Sequence, residues 1–349
     1  LDSRNGNAAL RRAVALTRNA MLNPMPTAEP LAQNLAQPQP ARTPDPAAEL
    51  DASLRARHPW ISPKFLYDPL GSRLFEAICE LPEYYPTRTE GEIFALHGAE
   101  IARTVGPGCT LVDLGAGNCA KAASLFPLLR PAQYVPVDIS AEFLQDAVTR
   151  LRLRFPHIAM HPLAQDFSDG LALPDPVRAE HRLFFYPGSS IGNFDPDAAQ
   201  RFLRRVHAQC GADGGILIGV DLAKDAEVLD AAYDDALGVT AAFNLNMLRH
   251  VNAVLGADFD VRAWRHRGFY DARAGRVEMH LEAKSAQLVT WPGGERRFAE
   301  GERIHTENSY KYRVTDAVAL LERAGFGASR VWLDARGWFA VIHARALSH

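Results

Sequence analysis

The stretch Leu111-Val112-Asp113-Leu114-Gly115-Ala116-Gly117-Asn118-Cys119-Ala120 decides how this chain is read. It is an apolar run that ends in a glycine-rich turn and opens into a helix. Glycines in such a turn let a nucleotide-like ligand come close to the backbone. Gly115, Gly117 and Ala120 satisfy the G-x-G-x-x-G/A spacing, and Asp138, at the end of the next apolar run, stands where a ribose-binding acid belongs. A nicotinamide dinucleotide therefore fits this turn.

Asp113 tilts the choice towards S-adenosylmethionine. A carboxylate two residues before the first glycine faces a pyrophosphate unfavourably but suits a cationic amino-acid moiety. Working outward, apolar runs at Thr110 to Leu114, Tyr134 to Val137, Ile158 to Pro162, Arg182 to Tyr186 and Gly215 to Asp221 alternate with helical stretches from about Ala120, Ala141 and Ala198. That alternation predicts a parallel sheet wrapped by helices, an α/β fold. A helix over Asp316 to Ala324 precedes strands Ser329 to Leu333 and Trp338 to Ala344, joined by Asp334-Ala335-Arg336-Gly337. This edge hairpin resembles the last two strands of the class I methyltransferase fold, Rossmann-like with a C-terminal antiparallel hairpin.

The remainder divides by composition. Residues 1–45 are rich in Pro and Ala and read as a disordered leader. Trp60 to Arg88 is dense in aromatics and prolines and reads as a packed cap, followed by helical periodicity at Glu90, Ile93, Leu96 and Ile101. Residues 226–309 carry their own helices and three strands, Gly268 to Asp271, Arg276 to Ala283 and Ala286 to Thr290. We assign 46–90 and 226–309 to a discontinuous α+β substrate-binding domain, and 91–225 with 310–349 to a cofactor domain.

Of 349 residues 47% are hydrophobic, and 38 basic side chains stand against 41 acidic ones for a net charge of −3. Phosphate backbones and anionic membranes need clustered positive charge, so neither is an expected partner. The four cysteines lack metal or disulfide spacing, and a reducing cytoplasm is expected. No apolar run approaches the roughly 20 residues of a membrane helix. The His157 and His161 pair falls in a loop and strand, where that spacing does not converge on a metal, and no metal is expected.

A rival motif is Gly188-Ser189-Ser190-Ile191-Gly192, which matches the nucleophile elbow of serine hydrolases. The elbow must run directly into a helix, however, and Asn193-Phe194-Asp195-Pro196 interposes a capping turn. In a methyltransferase the same position lets the Asn193 amide oxygen hold an acceptor amine.

Many separated segments agree with one family. They include Phe65-Leu66-Tyr67-Asp68, Leu81-Pro82-Glu83-Tyr84-Tyr85-Pro86-Thr87-Arg88-Thr89-Glu90, Ser190-Ile191-Gly192-Asn193, Ala232-Tyr233-Asp234-Asp235, Glu278-Met279 and Thr306-Glu307-Asn308-Ser309. Over residues 60 to 349 the chain resembles the ergothioneine-pathway L-histidine Nα-methyltransferases. The resemblance implies trimethylation of histidine to hercynine by S-adenosylmethionine, and a monomer is expected. It implies cofactor contacts from Gly115, Lys121, Asp138, Asp166, Phe167 and Gly188. It implies that Tyr84 and Tyr233 hold the substrate carboxylate, that Asn193 and Tyr67 address the amine, and that Glu307 and Ser309 grip the imidazole beside Met279, with Asn308 in the same pocket. Asn193 is then the orienting residue, and Tyr67 or water takes the amine proton. Another amino acid or a modified histidine remains the alternative acceptor.

Overall fold

Residues 45–347, apart from 169 and 212, are described in a computed structural model. The leader expected over 1–45 lies outside them, except for Asp45, whose carboxylate accepts from the Ala47 N–H and caps the first helix. The helices are α1 (Pro46–Arg55), α2 (Pro69–Cys79), α3 (Tyr85–Val105), α4 (Ala120–Leu129), α5 (Ala141–Arg154), α6 (Pro196–Gln209), α7 (Ala226–Tyr233), α8 (Val239–Leu255) and α9 (Val314–Arg323). The strands are β1 (Thr110–Leu114), β2 (Gln133–Asp138), β3 (Ala159–Met160), β4 (Leu163–Ala164), β5 (Arg182–Tyr186), β6 (Gly215–Asp221), β7 (Trp264–Asp271), β8 (Arg276–Ala283), β9 (Gln287–Trp291), β10 (Gly294–Phe298), β11 (Arg303–Tyr310), β12 (Phe326–Leu333) and β13 (Phe339–Ala346).

The central sheet runs β12-β13-β6-β5-β1-β2-β3, with β4 also on β2. Its inner strands are parallel, while β13 lies antiparallel between β6 and β12. That is the class I methyltransferase order, and the antiparallel β13 removes the dehydrogenase half-sheet from consideration. β1 and β6 are buried along their whole length because helices cover both faces. Phe184, Ile216 and Ile218 pack on Phe202 and Leu203 of α6 and Leu320 and Leu321 of α9. On the other face Leu111, Phe185 and Val341 pack with Ile93 and Phe94 of α3 and Leu125 of α4.

The strand expected over Ile158 to Pro162 is instead the two fragments β3 and β4, separated by Pro162, which has no N–H for a ladder. In α3 the inward stripe is Glu90, Ile93, Phe94 and Ile101, and Leu96, expected on it, is 75% exposed.

A second sheet, β11-β8-β7, is antiparallel, and β9 and β10 form a separate hairpin. Its inner face shares a core with α1, α2, α7 and α8, including Leu50, Ile78, Leu229, Phe243, Trp264 and Leu281. β10 and β11 were not among the three expected strands. Both are too polar to show apolar alternation, and the polarity of β11 has a cause in the site.

One irregularity decides which side chains β11 turns inward. Ile304 pairs with Leu281 on the buried face, and a bulge then intervenes between His305 and Glu307. The extra residue shifts the alternation by one. Glu307 and Ser309 thereby pair with Met279 and Val277 on the inner face. Asn308 pairs with Glu278 and so lies on the opposite face.

Candidate active site

Beyond the C-terminal ends of β1, β2 and β5 opens a cleft of about 1940 Å³, well above the roughly 300–1,000 Å³ of a single small-molecule pocket. Gly115, Lys121, Asp138, Asp166, Phe167, Gly188, Tyr67, Tyr84 and Asn193 all line it.

The glycine turn is held from behind. Gly115 and Ala116 donate to the Val137 carbonyl at 2.9 and 3.1 Å, and Gly117 donates to Asp138 Oδ2 at 2.8 Å. Gly115 and Gly117 have φ of +72° and +52°, a conformation that favours glycine, and a side chain at Gly117 would meet open space. The ring of Phe167 stands 3.8 Å from where a Gly115 Cβ would be. Asp138 Oδ1 accepts from Ser140 N at 3.0 Å, so this carboxylate is fixed before any ligand arrives. Asp166 accepts from both N and Oγ of Ser168, a local turn that leaves its second oxygen 3.9 Å from Lys64.

Asp113 is buried and accepts from the Tyr134 hydroxyl at 2.7 Å, and burial pushes its carboxyl up to about 7. It lines the cleft, but as a group already tied to the sheet.

Glu90, expected only as part of a family motif and a helical stripe, organises this side of the cleft. It is wholly buried, pairs with Lys121, and accepts the Gly188 N–H at 2.9 Å. Its signal in the sequence is a glutamate at the head of an apolar helical stripe. A second is Gly219 within the apolar strand β6, where a Cβ would stand 2.0 Å from Glu90 Oε1.

Asn193 closes a 3-10 turn, Ser190–Asn193, which the Asp195 cap then separates from α6. Ser189 takes the left-handed conformation, φ 58°, and Ser190 Oγ donates to the Pro187 carbonyl at 3.2 Å. Neither feature supplies a nucleophile with a base, so the hydrolase reading has no support. The turn abuts β11 so closely that a Cβ on Gly192 would lie 2.8 Å from the Tyr310 carbonyl and 3.5 Å from Ser309 Oγ.

Tyr233, Met279, Glu307 and Ser309 are not among the cleft-lining residues; they are 8, 2, 9 and 4% exposed and adjoin it from behind. The rings of Tyr84 and Tyr233 meet edge to face at 6.1 Å, and Tyr233 Oη lies 2.8 Å from Ser309 Oγ. Burial raises the Glu307 carboxyl to about 7 despite the opposing charge of Lys311. Asn308, grouped with these residues above, is turned away by the bulge.

Tyr67 is half-buried against Phe75 and Phe243, each at 5.7 Å. Burial and the negative potential of Glu307, Cys79, Asp138 and Tyr233 raise its phenol well above 10. At neutral pH it is a phenol that keeps its own proton, so its oxygen can accept a hydrogen bond but cannot take up a further proton. Of the two acceptors expected for the amine proton, Tyr67 or water, the raised phenol favours water.

On the outer face of the second sheet Glu278, His280 and His305 bring potential ligand atoms within 4.8 Å of one another. Arg276 donates twice to Glu278 Oε1 and His280 bonds Oε2, so this carboxylate already has a cation. Among the described residues no helix is long and apolar enough to cross a membrane.

A family model described as "Histidine-specific methyltransferase, SAM-dependent" matches residues 47–346. Histidine N-alpha-methyltransferase of Mycolicibacterium smegmatis is 38% identical over 300 residues, 84% of this chain and 92% of its own. The protein of the same name from Mycobacterium tuberculosis is 37% identical, covering 80% and 88%. Ergothioneine biosynthesis protein 1 of Neurospora crassa is 31% identical over 76% of this chain, a match spanning 31% of that longer protein.

Proposed function

The chain belongs to the histidine-specific, S-adenosylmethionine-dependent methyltransferases, and from that premise we propose that it methylates the α-amino nitrogen of L-histidine three times, giving hercynine for ergothioneine synthesis. The observation that carries this is the meeting of two chemistries about one cleft: a glycine turn with a fixed Asp138 lining it, and, buried behind its wall, Ser309 against the turn that ends at Asn193, with Glu307 on the same face of β11.

The cofactor side fits its ligand. The open glycine turn receives the amino-acid arm, Asp138 the ribose hydroxyls, Asp166 and Phe167 the adenine, with Lys121 and Gly188 completing the wall. S-adenosylmethionine supplies an electrophilic methyl whose bonding pair stays on sulfur when an amine takes the carbon.

The chain's own work is to hold the amine in line, which is worth more here than covalent help. Asn193 presents an amide oxygen to the amine, and Tyr67 a neutral phenol oxygen. Tyr84 and Tyr233 keep the carboxylate, and Glu307 with Ser309 the imidazole, so the anchor does not depend on N–H bonds that methylation removes. Tyr67, Phe75 and Tyr84 line the cleft with aromatic faces, which accept a growing ammonium. With Tyr67 a neutral phenol, the proton released at each of the first two methylations, and that of the starting ammonium, passes to water.

We assign residues 46–90 and 226–309 to substrate and the central sheet to cofactor, although α3 runs across position 90 without a break. We take the working unit to be a monomer. The four cysteines are unpaired, which agrees with the cytoplasm. The test is mass spectrometry of L-histidine incubated with the protein and S-adenosylmethionine. Mono-, di- and trimethylated histidine in succession is expected; unmethylated histidine in the presence of bound cofactor would overturn the assignment.

A further inference from the structure

Behind the site lies a buried lysine that nothing above employs. Lys311 follows β11, its side chain is fully buried, and its ammonium has three neighbours: Asp221 Oδ2 at 2.8 Å, Tyr233 Oη at 2.9 Å and Ser309 Oγ at 2.8 Å. An ammonium has three protons and no lone pair, so all three are spent here. Burial works against its charge, but Asp221 and Tyr233 more than offset that, and Lys311 stays protonated. The geometry comes from β6, whose end bridges the segment after β11: Tyr312 N donates to the Asp221 carbonyl at 3.0 Å, and Ala223 N to Tyr312 O at 2.9 Å.

The consequence falls on the two hydroxyls. Each has a lone pair occupied by the ammonium and one O–H left to give. They lie 2.8 Å apart, so without a ligand one donates to the other and the pair keeps a single free O–H. A guest that brings two acceptors releases both. The positive charge behind both oxygens favours their donating and disfavours a protonated guest at that point. Asp221 keeps Lys224 as a second cationic partner, so Lys311 is not its sole counter-ion.

We propose that Lys311 is a positioning residue that turns the O–H bonds of Tyr233 and Ser309 towards the substrate, and thereby selects a carboxylate together with a neutral imidazole. The inference rests on the proposed histidine site. Glu307 takes the ring N–H, Ser309 donates to the bare ring nitrogen, and Tyr233 donates to the carboxylate.

Calorimetric titration of histidine into the complex with S-adenosylhomocysteine tests this. Lys311→Met should weaken histidine binding at least tenfold while changing S-adenosylhomocysteine binding less than twofold. In a Tyr233→Phe, Ser309→Ala background, the same substitution should change histidine binding less than twofold, because the hydroxyls it acts through are gone. Unchanged binding in the single variant, or a full further loss in the hydroxyl-free background, would overturn the proposal. A measurement on the wild type keeps it testable if the variant does not fold: the nitrogen NMR spectrum of bound ¹⁵N-histidine should show one protonated and one bare ring nitrogen, and a doubly protonated ring would refute it. A wild type that takes no histidine at all would instead refute the histidine site itself.

Discussion

Replacing Glu90 by alanine removes a carboxylate that links three elements: α3, which carries it, Lys121 on α4, and the Gly188 loop after β5. Lys121 is 34% exposed, so solvent screens the ion pair and its share is at most about 1 kcal/mol. The bond from Gly188 N to a buried carboxylate contributes roughly 1.5–3 kcal/mol. The vacated space adds a cavity cost of about 1–2 kcal/mol. Relief from holding a buried charge offsets part of this. We expect a net loss of about 2–4 kcal/mol, which at roughly 2 °C per kcal/mol lowers Tm by about 4–8 °C.

Gly188 lines the cofactor wall, so the loss should also appear as weaker binding, about tenfold for each 1.4 kcal/mol passed to that loop. Glu90→Gln keeps an acceptor for Gly188 but removes the charge, and should fall between the wild type and Glu90→Ala. Differential scanning fluorimetry and calorimetric titration of S-adenosylhomocysteine read the two effects. If Glu90→Ala melts within 1 °C of wild type and binds equally well, the carboxylate is not what fixes the loop.

Four further predictions bear on the substrate side. The Glu307 carboxyl is raised from 4.5 to about 7, so between those values the folded protein holds a proton the unfolded chain has released. Its contribution to stability must therefore fall as pH rises through 7, and the Tm difference between wild type and Glu307→Gln should shrink or reverse from pH 5 to pH 8; a constant difference would contradict it. Histidine binding needs the carboxylate, so Glu307→Gln should weaken it by a charged hydrogen bond, roughly tenfold to a hundredfold at pH 8 by calorimetry. Tyr67→Phe should lower the methylation rate yet keep S-adenosylhomocysteine affinity and the acid limb of the pH–rate profile, since a neutral phenol takes up no further proton; loss of that limb would restore it as the base. Gly192→Ala places a Cβ 2.8 Å from the Tyr310 carbonyl, so the turn must withdraw from β11, with about 1–3 kcal/mol lost in thermal unfolding and the rate reduced as Asn193 moves.

The sequence by itself determined the cofactor half. Strand, glycine turn and helix are local, the strand ends repeat as apolar runs, and the hairpin at the C-terminus is short-range, so β1, β5, β6 and the Asp138 position follow from pattern alone. In the substrate half β7, β8 and β9 were legible as strands, but the site residues only as identities within a family resemblance. β11 carries no apolar alternation because its inner face holds Glu307 and Ser309, and the bulge that puts them there, and turns Asn308 away, depends on pairing with β8. Only the tertiary structure brought Glu90 to Lys121 across 31 residues, and Lys311 to Tyr233 across 78. Each is a polar side chain whose meaning lies in a partner far along the chain, and that no local pattern encodes.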